Sequence, residues 1–300
     1  MKITTILLFM TVVSCVISCR KIVEPDTRVV EWNSVRSFGY QLQNISTQTI
    51  SDSTYDMVII DYSTSGDDSG RFTRDQVTTM KANGKKLVAY ISIGEAENYR
   101  FFWQNAWDAN HDGTPDIGAP TWLGPANPDW PNSYKVRFWM SDWQAIVYTY
   151  LDKIIDSGFD GVYLDIVDAY EYWTSEPNVD EKMVDFVTNI AAHCRQRSGN
   201  TAFGIFPQNA EGLSEFPDYI ATVTGIGRED TWYNENIANS EDHIYWVCLH
   251  LDRFKNAGKL VLCTDYTTDP LKKEDFYTKA RAKGYIPYAT RRELDILLSK

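Results

Sequence analysis

The sequence predicts an α/β protein built as a single (β/α)8 barrel of the TIM type, and three observations support this fold class. Short apolar or alternating runs recur eight times along the chain. Segments with helical periodicity fall between several of them. Most of the runs end in a polar or acidic residue, as barrel strands do at the face where working groups collect. A doubly wound open sheet is the alternative, but no glycine-rich phosphate loop follows the first run.

The eight strand candidates include several that are rich in Val, Ile, Tyr and Phe, which favour extended structure. In chain order they cover residues 37–42, 55–62, 86–95, 158–165, 201–209, 219–229, 259–266 and 284–289. Between the third and the fourth lies a long stretch with six of the ten Trp residues. We therefore expect a Trp-rich insertion there.

Helices are predicted over 72–83, 142–156, 179–197, 270–283 and 291–298, with another that opens at Ser240. Ser141 and Gln144 have the spacing of a capping box for the second of these. Glycines at the ends of several helices are expected to act as C-caps that lead into the next strand. The links 44–54 and 210–218 are too short for a full helix, so the barrel should be irregular there.

The charge balance excludes one class of partner. The 300 residues carry 29 Lys and Arg against 41 Asp and Glu, a formal net charge of −12. Such an acidic chain lacks the positive surface that binds a phosphate backbone, so nucleic acid is not an expected partner. A neutral or cationic partner is easier to accommodate.

The first residues have the proportions of an export signal. A basic start precedes an apolar run that is too short to span a membrane. The run ends VISC at Cys19, which resembles a bacterial lipobox; VVSC at Cys15 is the rival site, and a plain secretory signal is the other alternative. We expect residues 1–18 to be a lipoprotein signal peptide, 19–36 a tether and 37–300 the barrel domain, exported and lipid-anchored at the cell envelope.

The remaining cysteines, Cys194, Cys248 and Cys263, lie in apolar surroundings and are odd in number. That pattern is not a disulfide framework, and buried small side chains are expected.

Polar and acidic residues end the predicted strands, where a barrel places its active site. Charged groups are rarely buried without a reason, so a ring of them at one mouth is informative. No nucleophile motif and no grouping of His residues accompanies them. Paired carboxylates then favour acid/base hydrolysis, most simply of a glycosidic bond, and the Trp residues would suit sugar faces as well as the insertion's own core. The strand-end residues are Tyr40, Gln41, Asp61, Glu95, Asp165, Asp168, Gln208, Asn209, Glu229, Asp230, Asp265 and Tyr266.

Four motifs in order resemble those of glycoside hydrolase family 114. They are YISIGEAE at 90–97, GFDGVYLD at 158–165 followed by Asp168, PQNAEG at 207–212 and GREDTWY at 227–233. The resemblance runs from about residue 38 to 289. It implies a (β/α)8 barrel and an endo-α-1,4-polygalactosaminidase activity. It also implies a retaining pair in which Asp165 is the nucleophile and Glu229 the general acid and then base, whereas the spacing of residues leaves the stereochemical outcome open.

The other strand-end side chains are assigned to the substrate or to support of the pair. No cofactor is expected for catalysis, and the expected partner is a polysaccharide, with a cationic amino-sugar glycan suited to the acidic chain. A non-catalytic glycan-capture lipoprotein and a glycosidase for a different α-hexosaminide remain alternatives. The predicted substrate-binding residues are Tyr40, Asp61, Glu95, Asp168, Gln208, Asn209, Trp232, Asp265 and Tyr266. For Asp61 and Glu95 the alternative is that they anchor loops across the barrel mouth.

The segment DANHDGTPD at 108–116 follows the first nine positions of a calcium-binding loop. Position twelve is Ala119 instead of the usual Glu, and no clear helix flanks the loop. A structural calcium ion held by Asp108, Asn110, Asp112 and Asp116 is one expectation, and an ion-free turn is the other.

Overall fold

The computed structural model describes residues 30–299, in which eight parallel strands form a barrel. All eight predicted strands are confirmed, each shorter than its prediction. Their bounds are β1 Phe38–Gln41, β2 Met57–Asp61, β3 Lys86–Ser92, β4 Gly161–Asp165, β5 Gly204–Pro207, β6 Gly225–Glu229, β7 Leu260–Tyr266 and β8 Ile286–Thr290.

Barrel closure joins two hydrogen-bonded sheets. One has the order β1-β2-β3-β4-β5 and the other β8-β7-β6. They meet where Gln208 forms a parallel bridge with Gly227 and the Asn209 N–H donates to the Gly227 carbonyl, 2.8 Å away. At the other seam β8 lies beside β1, where the rings of Phe38 and Tyr288 are 5.6 Å apart.

Seven α-helices lie between the strands. The helices are α1 Thr47–Asp52, α2 Arg74–Met80, α3 Ser141–Ser157, α4 Val179–Ser198, α5 Pro217–Thr222, α6 Glu241–Asn256 and α7 Pro270–Lys283. The predicted capping box of α3 is wrong, because the helix begins at Ser141 and Gln144 instead donates to the Phe138 carbonyl, 3.1 Å away. The Ser240 cap is confirmed, since its side chain accepts from the His243 N–H.

The prediction of a helix over 291–298, after the last strand of the barrel, is also wrong. This segment is irregular and crosses the outside of β1. A Cβ on Gly39 would lie 2.4 Å from Leu297 Cδ1, so the missing side chain of Gly39 is what allows Leu297 to pack there. An irregular segment that packs on β1 stands in place of the last helix of the barrel.

Alternation along the strands decides which side chains enter the barrel. The registers pair Tyr40 with Ile59, Tyr90 with Tyr163, and Tyr163 with Phe206, so these residues share the inner face. Gly227 faces inward from β6, where an added Cβ would lie 1.9 Å from the Tyr163 hydroxyl. The barrel is thus filled by aromatic rings from one side, and β6 provides the space they need.

The stretch between β3 and α3 forms a small antiparallel sheet from strands Glu95–Glu97, Leu123–Ala126 and Ser133–Val136. Indole rings pack on one another beneath it: Trp107 contacts Trp103 and Trp122 with centroids 5.2 and 5.3 Å apart. Trp122 in turn lies 4.9 Å from Trp143 of α3. Most of these Trp residues therefore build the core of the insertion.

The segment assigned to the tether makes contacts with the barrel from Val30 onward. Val30 and Val35 are buried, and the Trp32 indole donates to the Ala202 carbonyl, 2.6 Å away. The Val30 N–H donates to the carbonyl of Gly84, just before β3, so this segment lies at the N-terminal ends of the strands. The predicted signal peptide, Cys15 and Cys19 lie outside the described residues. Among residues 30–299, no helix has the length and apolar character to cross a membrane.

The three cysteines Cys194, Cys248 and Cys263 are free and buried, as predicted.

Candidate active site

Two carboxylates reach the C-terminal mouth of the barrel from strands that are not neighbours. Asp165 is the last residue of β4 and Glu229 the last of β6, with β5 between them. Both side chains are partly exposed, so solvent reaches them, and the Tyr163 ring lies within electrostatic range of both. The negative charge of Glu229 also acts on Asp165. Barrel closure therefore brings together two acids that are 64 residues apart in the sequence.

Consecutive residues after β5 hold both acids. The Gln208 amide donates to Asp165 Oδ1 at 2.8 Å, and its oxygen accepts from the Tyr40 hydroxyl at 3.2 Å. The Asn209 side-chain oxygen accepts from the Glu229 N–H at 3.2 Å and from Arg228 at 2.9 Å. Substrate binding by Gln208, Asn209 and Tyr40 stays a prediction. In the structure Gln208 contacts the Asp165 carboxylate, Tyr40 contacts Gln208, and Asn209 contacts the backbone of Glu229.

Asp165 receives three hydrogen bonds. Besides Gln208, the Tyr90 hydroxyl donates to Oδ2 at 2.6 Å and the Ile166 N–H donates to Oδ1 at 2.9 Å. Burial and the charge of Glu229 raise the pKa of Asp165, while these donors favour its ionised form. Ile166 has a left-handed backbone (φ 56°), and its carbonyl would lie 2.1 Å from a Cβ on Gly94, so a glycine is needed opposite this turn.

Glu229 has fewer donors. The Tyr266 hydroxyl donates to Oε1, and the Tyr266 ring lies 4.2 Å from the guanidinium of Arg292. Burial raises the pKa of Glu229; the Tyr266 hydrogen bond opposes that rise, and the neighbouring charge of Asp230 adds to it. Asp230 is itself paired with Arg292 at 2.8 Å. The charges of Arg292 and Arg228 also favour the ionised form of Glu229. Asp165 differs from Glu229 in the number of hydrogen-bond donors on its carboxylate, three against one among the described residues.

Asp168 and Glu95 lie near the mouth in different settings. Asp168 is on the single 3-10 turn Val167–Glu171 after β4, partly exposed, and burial together with Glu171 raises its pKa to about 6. Glu95 is buried on the insertion's edge strand, where it accepts from Asn127 at 2.9 Å and pairs with Lys135 at 3.2 Å. Glu95 therefore has the environment of a loop anchor, the alternative that the sequence left open for it.

Asp61 also anchors a loop. It points inward from the end of β2 and pairs with Arg100 at 2.8 Å, and Arg100 pairs with Glu97 at 2.6 Å. All three side chains are buried, and the Tyr99 ring covers the guanidinium at 4.8 Å. One buried cation thus fastens the insertion to the barrel mouth.

Asp265 and Trp232 are directed away from the carboxylate pair. Asp265 faces outward from β7, because Thr264 and Tyr266 occupy the inward positions of that strand. Its oxygens accept from the backbone N–H groups of Thr231, Trp232 and Tyr233 at 2.8–2.9 Å. Burial raises the pKa of Asp265 to about 7 despite these donors. The Trp232 ring is buried against Phe276, so both residues hold the loop after β6 from below.

In the calcium-like loop, side-chain oxygens accept hydrogen bonds from the backbone N–H groups of the same loop. Asp108 accepts from the backbone N–H groups of Asp112 and Gly113, Asn110 accepts from Asp112, and Asp116 accepts from Ala109. Within residues 30–299, no group of three or more His, Cys, Asp or Glu side chains is arranged to hold a metal ion. Calcium binding by Asp108, Asn110, Asp112 and Asp116 and the ion-free turn both stay predictions.

Sequence reasoning missed Tyr90, Tyr163, Arg100 and Arg292. Tyr90 and Tyr163 could have been found from strand alternation, since each stands two residues before an inward polar side chain. Arg100 and Arg292 lie in loops with no periodicity, and no pattern in the sequence indicates their partners.

The model of glycoside-hydrolase family GH114 matches residues 23–299. An uncharacterized protein of Methanocaldococcus jannaschii is 40% identical over 277 residues, which cover 87% of this chain and 77% of the relative. An uncharacterized protein of Thermotoga maritima is 37% identical over 271 residues, covering 86% and 81%.

Solved structures share the fold. The glycoside hydrolase domain of PelA from Pseudomonas aeruginosa has a TM-score of 0.65 at 17% identity, covering 88% of this chain and 98% of that one. Aspergillus fumigatus Ega3, in a complex with galactosamine, has a TM-score of 0.66 at 18% identity, covering 91% and 99%.

The buried triad predicts a large effect at Arg100. Arg100→Met leaves Asp61 and Glu97 buried without their cation, so we expect the free energy of unfolding to fall by about 3–5 kcal/mol. Arg197→Met is the matched control, because Arg197 pairs with Asp152 and Asp156 on the surface; its loss should be about 0–1 kcal/mol. Urea denaturation measures both. Equal losses would contradict the anchoring role.

Proposed function

The chain belongs to glycoside-hydrolase family GH114, and we propose that it is a retaining glycosidase that cleaves α-linked galactosamine-containing polysaccharide at internal bonds. One observation carries the proposal: two partly exposed acids end β4 and β6, and two consecutive residues just after β5 contact both of them, Gln208 at the Asp165 carboxylate and Asn209 at the Glu229 backbone. A pair of carboxylates at the barrel mouth is the equipment that glycosidic hydrolysis requires.

For this chemistry one of the two acids must be ionised and the other protonated. Mutual repulsion and burial disfavour double ionisation. The three donors around Asp165 stabilise its carboxylate, whereas the Glu229 side chain has the single Tyr266 donor among the described residues. We therefore assign the resting charge to Asp165 and the proton to Glu229.

With these protonation states, the nucleophile and the proton donor of each step can be named. An oxygen of Asp165 attacks the anomeric carbon while Glu229 gives its proton to the departing glycosidic oxygen, which leaves a glycosyl ester on Asp165. Glu229, now ionised, takes a proton from water as that water attacks the anomeric carbon and releases Asp165. Tyr90 and Gln208 accommodate the change in charge at Asp165, and Tyr266 does so at Glu229.

Two observations support the substrate class: the net charge of the chain and its structural similarity to Ega3. The formal charge of −12 attracts a cationic glycan, and galactosamine units carry free amines. The similar Ega3 structure contains galactosamine. Asp168 is a partly exposed acid whose charge acts on Asp165, and we assign it to the sugar's amine or hydroxyl groups.

We also propose that the protein is exported and held at a membrane through lipidated Cys19. The lipobox-like VISC supports this, and Val30 joins the barrel at the end opposite to Asp165 and Glu229. A membrane-attached N-terminus would leave the carboxylate pair facing away from the bilayer.

Removal of either acid should abolish turnover. Asp165→Asn and Glu229→Gln are each expected to lower kcat at least about a hundredfold while substrate binding persists. Asp156→Asn and Glu181→Gln, on the exposed outer surface, serve as isosteric controls with unchanged kcat. Reducing ends released from α-1,4-galactosaminogalactan fragments measure the rate, and NMR follows the first product anomer. A first product with a β anomeric hydroxyl would contradict retention, and full activity in both acid variants would refute the assignment.

Two conservative variants should move opposite limbs of the pH profile. Tyr90→Phe removes a donor to ionised Asp165, so the pKa of Asp165 rises and the acidic limb of kcat/KM moves up by about one pH unit. Tyr266→Phe removes the donor to Glu229, so the pKa of Glu229 rises and the basic limb moves up by a similar amount. Movement of the same limb in both variants would contradict the assigned roles.

The anchor has a direct test. Cys19→Ser should abolish incorporation of labelled fatty acid into the full chain, and Cys15→Ser should leave it unchanged. Mass spectrometry of the mature N-terminus gives the cleavage site, and labelling that depends on Cys15 would identify the rival site.

A further inference from the structure

A basic cavity lies at the end of the barrel opposite to the carboxylate pair. It has a volume of about 490 Å³ and is lined by Arg36, Tyr55, Lys273, Tyr277, Arg281 and Ser299, among others. Arg36 lies just before β1, Tyr55 just before β2 and Ser299 near the end of the chain. None of its lining residues is an Asp or a Glu.

This space is present because no helix follows β8. Where a regular barrel would have a helix after β8, an irregular segment packs Leu297 over Gly39, and the Tyr55 hydroxyl donates to the Leu298 carbonyl at 2.9 Å. A single irregular segment occupies less volume than a helix, whose diameter is about 10 Å. The groove between α7 and the start of β1 therefore stays open at this end.

One face of α7 supplies two of the three cations. Lys273, Tyr277 and Arg281 recur at intervals of four residues and so lie along one side of the helix. The adjoining side of the helix carries the buried Phe276 and Ala280. The Arg281 guanidinium lies over the Tyr277 ring at 4.9 Å, which holds it at the cavity.

These cations are not neutralised within the part of the chain that the structure describes. Neither Lys273 nor Arg281 forms an ion pair among residues 30–299, although Lys279 and Lys283 of the same helix do. The Arg36 guanidinium donates to the carbonyls of Asn33 and Val35. Asp56 is the acid nearby; its Oδ2 accepts from the Arg36 N–H and the Ser37 hydroxyl, and it does not line the cavity.

Three cations that form no ion pair among residues 30–299 therefore line one concave site, in a chain of net charge −12. We propose that this cavity binds a phosphate group esterified to a small alcohol. Arg and Lys side chains suit phosphate oxygens, the tyrosines offer ring faces to the alcohol, and the volume exceeds what an inorganic phosphate fills. The inference goes beyond the proposed hydrolase activity and does not depend on it.

The ligand has two sources that share this chemistry, a phospholipid headgroup and a soluble phosphate ester. The cavity opens at the end of the barrel where Val30 enters, which is the end that a lipid anchor would hold at the membrane. Anionic headgroups near that surface would attract juxtamembrane cations.

The test uses the full chain with Cys15→Ser and Cys19→Ser, so that acylation does not contribute. Glycerol 3-phosphate is titrated by calorimetry, and flotation is measured with phosphatidylcholine vesicles with and without phosphatidylglycerol. Lys273→Ala/Arg281→Ala should weaken binding of glycerol 3-phosphate at least about tenfold. Lys272→Ala/Lys279→Ala removes the same charge from the same helix outside the cavity and should leave binding unchanged.

The outcomes separate the sources. Loss of both glycerol 3-phosphate binding and phosphatidylglycerol-dependent flotation in the cavity variant supports a site that takes lipid headgroups. Loss of glycerol 3-phosphate binding alone supports a site for soluble esters. Absence of binding in the parent chain, or equal weakening in both double variants, would overturn the proposal. Glycan hydrolysis, measured in parallel, should be unchanged in every variant.

Discussion

The hydrogen bond from Gln208 to Asp165 is the contact on which the carboxylate pair most depends. Gln208 bridges to Gly227 through its backbone and holds Asp165 through its side chain, so strand pairing and side-chain placement are set by one residue. Asn209 then holds the backbone of Glu229. Because β5 lies between the strands that carry the acids, its end determines how both face the mouth. A change in the register of β5 would separate the acids from their supports together.

The interior behind this pair follows from the same alternation. Tyr40, Tyr90 and Tyr163 fill the inner face, and Gly227 leaves the space that the Tyr163 hydroxyl occupies. These rings exclude water below the acids, so charge at Asp165 and Glu229 is weakly screened and sensitive to each donor. Above them, buried Arg100 neutralises Asp61 and Glu97 and fixes the insertion that forms part of the rim. The acids of the mouth thus divide into those that are open to solvent and those that are compensated within the protein.

The openings at the two ends of the barrel carry different charged side chains. Partly exposed carboxylates occupy the C-terminal end, whereas Arg36, Lys273 and Arg281 surround the cavity at the N-terminal end. The irregular segment after β8 reaches both ends: it contributes Arg292 to the Asp230 and Tyr266 contacts at one end and Ser299 to the cavity at the other. Replacement of a helix by this segment is therefore relevant to both sites.

The sequence alone determined the eight strands, their order and the two acids that end β4 and β6, because strand patterning and turn residues act over short distances. It also determined which motifs resemble GH114. Only the tertiary structure decided the roles of the other polar residues. Asp265 and Trp232 occupy strand-end or loop positions like those of Asp165, yet they face the helices, because a shift of one residue along a strand reverses the direction of a side chain. Asp61 faces inward but is neutralised by Arg100, which no local pattern predicts. Ion pairs between distant loops depend on where the folded chain places them, so they become visible only when the barrel is closed.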